Sequence, residues 1–133
     1  MLPDQNFRLT DAQMASFIAH GHITVTPDLP REFHAEVFAQ HEEVFEKEGT
    51  PGNNLLPRIP LTRQVFEDPA VVGALQSVIG DDYYLQPHRH PHFNPPGSKG
   101  QNMHQDGGKR WSHRTRYLLA LYYPQDTPVE RGP

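Results

Sequence analysis

Asp82-Tyr83-Tyr84-Leu85-Gln86-Pro87-His88-Arg89-His90-Pro91-His92-Phe93 is the stretch where the chain changes character. Before it, apolar residues recur at helical spacing. From it onward, short aromatic and aliphatic runs alternate with proline and glycine, the pattern of strands and turns. The stretch from Tyr83 to Phe93 is expected to be a strand, followed by a Pro95-Pro96-Gly97 turn, a strand from Gln101 to Asp106 and another from Arg116 to Tyr123. Helices first and sheet second suit an α+β domain with N-terminal helices packed on an antiparallel sheet.

Local signals place the helices. Thr10-Asp11-Ala12-Gln13 has the form of a capping box, in which the Thr10 hydroxyl accepts from the helix start and Gln13 reaches back. The helix it opens carries Met14, Phe17 and Ile18 on one face and ends at Gly21. His22-Ile23-Thr24-Val25 reads as a short strand closed by Pro27. A second helix is expected from near Pro30 to Gly49, with Phe33, Val37, Val44 and Phe45 as core. Residues 49–60 have neither period and read as a loop. Leu61 to Glu67 is expected to be helical. Asp68 as cap and Pro69 at the first position announce a further helix through Val72, Leu75 and Ile79 to Gly80.

At 133 residues and 15.2 kDa, the chain suits one domain spanning residues 1–133, mainly helical over 9–80 and strand-forming over 82–133. An apolar fraction of 35% with 14 prolines allows only a thin core. The net charge of -4 and the absence of a long basic run argue against nucleic acid. The densest basic patch, Lys109-Arg110 with Arg114 and Arg116, is simplest as a polar loop entering a strand, although it could hold an anion. Without cysteine there is neither a disulfide framework nor a thiolate metal site. No segment approaches a membrane span and the start has no signal-like run, so a cytoplasmic protein acting on a small molecule is expected.

His104-Gln105-Asp106 carries the strongest chemical signal. Alternating strand side chains put positions i and i+2 on one face, so this imidazole and carboxylate can reach one metal ion while Gln105 points away. Such a pair plus one more histidine makes the facial triad of non-haem iron(II) oxygenases. Its single anionic ligand leaves positive charge with which to attract a dianionic cosubstrate. The bland reading of the same three residues is a surface histidine beside a turn aspartate.

The order of features resembles the phytanoyl-CoA dioxygenase family over nearly the whole chain. The resemblance runs through Leu9-Thr10-Asp11-Ala12-Gln13, Phe17 and Gly21-His22-Ile23, then Phe66-Glu67-Asp68-Pro69, Leu75 and Ile79-Gly80-Asp81-Asp82-Tyr83. It continues with Met103-His104-Gln105-Asp106, Leu121-Tyr122-Tyr123 and Glu130-Arg131-Gly132-Pro133. It implies the N-terminal portion of an iron(II)- and 2-oxoglutarate-dependent dioxygenase that hydroxylates a small organic molecule with dioxygen. The implied fold is a double-stranded β-helix, or jelly-roll, truncated before its C-terminal strands. The implied ligands are His104 and Asp106, and the presence of Asp106 favours hydroxylation over halogenation. Gln86 matches an amide that several relatives place near 2-oxoglutarate, and Trp111 is a candidate for the substrate mouth.

In that family a second histidine and a basic anchor for 2-oxoglutarate follow tens of residues after the turn at which this chain stops. His113 is too close to Asp106 along the chain to serve as third ligand. Residues 1–133 alone are therefore expected to be an inactive fragment of the enzyme. Two rivals stand beside this reading. His88, His90 and His92 alternate as a cupin-like or zinc-hydrolase cluster would, but Pro87 and Pro91 interrupt them and no glutamate follows at cupin spacing. The other is a non-catalytic binding module, or decayed paralogue, on the same scaffold.

Overall fold

A computed structural model describes residues 7–95, 97–100, 102, 104, 106 and 114–131. Four α-helices follow in chain order: α1 (Asp11–His20), α2 (Arg31–Glu48), α3 (Thr62–Glu67) and α4 (Pro69–Ile79), with a short 3-10 helix at Val129–Arg131.

Each main helix boundary has a local cause. At the start of α1 the capping box is closed, the Thr10 amide donating to Gln13 Oε1 at 2.9 Å and the Gln13 amide to Thr10 Oγ1 at 3.3 Å. Gly21 ends it with φ at 76°, a left-handed conformation that costs glycine little. At α4, Asp68 Oδ1 accepts from the amides of Ala70 at 2.9 Å and Val71 at 3.3 Å. Pro69 follows at the first helical position, where its missing N–H leaves nothing unsatisfied. Helix α2 begins without a side-chain cap, its first turn closed by Phe33 and His34 amides donating to the Pro30 carbonyl.

The core lies between α2, the 55–59 segment and the α3–α4 pair. Its buried apolar residues are Val37, Leu55, Ile59, Val65, Ala74 and Leu75, and Val37 and Ile59 have no exposure at all. Burying such a side chain stabilises by about 1.5–3 kcal/mol. Asp68 is buried too, and its second oxygen accepts the Asp28 amide at 3.0 Å, which ties the segment before α2 to the start of α4. A notch in α4 receives the chain before α1. A Cβ on Gly73 would stand 2.0 Å from the Phe7 carbonyl oxygen. One turn on, Ser77 Oγ accepts the Leu9 amide at 2.9 Å while donating to the Gly73 carbonyl at 2.7 Å. An Arg8–Asp81 ion pair closes the same crossing.

The expected antiparallel sheet is absent: among the described residues no segment is a strand, so neither the α+β architecture nor part of a jelly-roll is present. His22–Val25, Tyr83–Phe93 and Arg116–Tyr123 lack strand pairing, as do the described positions 102, 104 and 106 of the third expected strand. Pro87, Pro91 and Pro95 each lack an N–H and hold the residue before them extended, so 82–95 cannot sustain a ladder. Residues 116–123 have strand composition, but a strand needs the backbone groups of a neighbour, and their anchorage is through side chains instead. Ile18, on the apolar face of α1, is 77% exposed, and α1 buries no residue. The accessible surface is 10831 Å², against roughly 7,100 Å² for a compact monomer of this mass.

Candidate functional site

His104 and Asp106 stand together. The His104 Nδ1–H donates to the carbonyl of Asn102 at 2.7 Å, so that in the neutral ring the lone pair is on Nε2. That Nε2 lies 3.6 Å from Asp106 Oδ1. A lone pair facing a carboxylate oxygen is repulsive unless a proton on Nε2 or a cation sits between them. Donors held about 2.0–2.2 Å from one divalent ion can stand no more than about 4.4 Å apart, so the separation admits a shared ion. A ring N–H held by a backbone carbonyl is also the usual outer support of a metal-ligating histidine. The side chains are 54% and 35% exposed, so an ion can enter from solvent. The pairing arises without the strand that was expected to produce it.

Of the other sequence candidates, Gln86 is exposed in irregular backbone, and no described hydrogen bond or ion pair joins it to His104 or Asp106. Trp111 and His113, like Lys109 and Arg110, lie outside the described residues, while Arg114 and Arg116 are exposed. Among the described residues no three histidine or carboxylate side chains converge as a ready metal cage. The histidines at 88, 90 and 92 meet edge-on and tilted instead, with adjacent ring centroids 4.6 Å apart in both steps. Burial, and then the neighbouring His92 and His88 rings, push the His90 pKa down, while the charge of Asp106 acts the other way. The 88–92 row and the His104–Asp106 pair therefore lie within electrostatic reach of each other.

Two features were not anticipated. A mainly apolar cavity of about 210 Å³ opens between α1, the extended residues 23–27, the α3–α4 pair and residues 118–122, with Phe17, Ile23, Val65, Leu75, Leu119 and Tyr122 on its walls. At its edge the Tyr122 hydroxyl hydrogen-bonds His34 Nδ1 at 2.7 Å, across 88 positions of sequence. Burial pushes the Tyr122 phenol up to about 12. The uninterrupted apolar run of residues 118–122 was the visible signal for the cavity wall, but it was absorbed into the strand expectation. Nothing local marks His34 as its partner.

No family model, no curated protein and no solved structure matches the chain. No helix among the described residues is long and apolar enough to cross a membrane.

Proposed function

We propose that His104 and Asp106 are the two-residue arm of an iron(II) site in a 2-oxoglutarate-dependent oxygenase of the phytanoyl-CoA dioxygenase kind, acting on a small organic molecule. The observation that carries this reading is the His104 ring, held by the Asn102 carbonyl so that Nε2 turns toward the Asp106 carboxylate. The reading rests on that pair and on the ordered motifs around it, not on a sheet scaffold. Asp106 supplies the one negative charge and His104 a neutral nitrogen donor, so a bound dication keeps positive charge for a dicarboxylate cosubstrate. Iron bound there would supply dioxygen activation coupled to decarboxylation of 2-oxoglutarate and hydroxylation of a substrate C–H bond. A third protein ligand is required in addition to these two.

Anaerobic titration of the tag-free chain with iron(II), followed by 2-oxoglutarate, tests the proposal. Expected are weak iron binding that falls tenfold or more in His104→Ala and Asp106→Ala, and a visible charge-transfer absorption when 2-oxoglutarate is added. Iron affinity unchanged in both variants would sink the oxygenase reading. It would leave a non-catalytic binding module, the reading favoured by the lack of three converging donors among the described residues.

A further inference from the structure

The row formed by His88, His90 and His92 has a spacing that suits metal ligation as well as ring packing. Its ring planes meet at 77° and 48°, with centroids 4.6 Å apart at each step. The backbone beneath is restrained: Pro87 and Pro91 lock their own φ and hold Gln86 and His90 extended. The Arg89 amide donates to Asn53 Oδ1 at 3.2 Å, pinning the row to the loop after α2. His90 is half-buried, whereas His88 and His92 are exposed, so two of the three rings are not serving as core.

A ligating imidazole has its ring centre roughly 3.2 Å from the metal, the sum of a bond of about 2.1 Å and a ring radius of about 1.1 Å. Two such rings on one ion, separated by the angles of octahedral or tetrahedral coordination, have centres about 4.5–5.2 Å apart. Both steps of the row fall in that interval. Aromatic pairs also pack at such distances, but two of these three rings are exposed, where an ion can reach them from solvent.

We propose that His88, His90 and His92 form a binding site for a divalent transition metal of imidazole preference, zinc or copper(II), in which His90 is shared by two alternative chelating pairs, His88–His90 and His90–His92. No three rings converge at rest, so the ion is first held by a pair, and the exposed third ring reaches it by side-chain rotation. The ligand set differs from that of the oxygenase proposal, and each can stand without the other.

The arrangement predicts unequal losses. Zinc titration by calorimetry on the tag-free chain carrying His104→Ala and Asp106→Ala isolates this row from the other pair. Imidazole ¹⁵N shifts identify the ligating rings. In that background, His88→Ala and His92→Ala each weaken binding about two- to fivefold, because one pair survives, whereas His90→Phe, which keeps a ring in the row, weakens it thirtyfold or more. Unchanged circular dichroism of His90→Phe confirms that the fold is intact. No one-to-one zinc uptake by the background chain, equal affinity with and without His90→Phe, or equal losses at all three positions would each overturn the proposal.

Discussion

Between Arg31 and Ile79 the chain holds every buried residue described, and between Gly80 and Glu130 it holds none. The large apolar residues divide the same way: Tyr84, Leu85, Phe93, Leu119, Leu121, Tyr123 and Val129 are all exposed, against Phe7 and Ile18 before Arg31. Aromatic content does not explain the contrast, since the later region holds seven aromatic residues against four in the earlier one. Organisation does. A helix satisfies its own backbone and needs only one face covered, whereas an extended segment must find both a ladder partner and an apolar cover.

If that division is correct, truncating one large apolar side chain costs very different amounts on its two sides. Ile59→Ala is expected to lose about 2–5 kcal/mol in urea unfolding followed by circular dichroism, while Leu121→Ala stays within about 0.5 kcal/mol. Equal losses would show that the later region shares the helical core. Gly73→Ala sharpens the helical side. Its new methyl meets the Phe7 carbonyl, and the overpacking is expected to cost about 1–3 kcal/mol, with amide shifts concentrated at Phe7, Arg8 and Leu9 and α4 still helical.

A smaller effect than those in the core concerns one link between the regions, the His34–Tyr122 hydrogen bond. Tyr122→Phe is expected to cost about 1 kcal/mol. Because burial raises the folded phenol to about 12 from an ordinary 10.0, the folded state holds this proton more tightly than the unfolded state. The resulting stability is fully present below pH 10 and is lost as pH rises through about 12. Burial also raises the Tyr83 phenol, so tyrosine ionisation followed by ultraviolet absorbance should show two late phenols in the wild type and one in Tyr122→Phe. Two late phenols surviving in the variant would assign the Tyr122 shift to another tyrosine.

The helices were legible because their signals are local. Thr10 with Gln13, Asp68 with Pro69, and the terminal Gly21 and Gly80 act within a few residues of what they control. The sheet was misread because alternation reports only that a segment suits a strand, and a partner lies elsewhere in sequence or not at all. The prolines at 87, 91 and 95 were visible, but their combined removal of N–H donors was underweighted. At the candidate site the nearness of His104 and Asp106 was legible from spacing, although the reason given for it, strand alternation, was wrong. The Asn102 carbonyl that orients the ring was not foreseen. The join between His34 and Tyr122 could not be read from either residue's neighbourhood.

One carboxylate in the helical half has a kinetic consequence. Because Asp68 caps α4 with one oxygen and holds the Asp28 amide with the other, rotation of that single side chain releases two adjacent amides of α4 and a third some forty positions away in sequence. Asp28, Ala70 and Val71 thus belong to one opening event, coupling the linker before α2 to the fraying of α4 without any unfolding of the residues between.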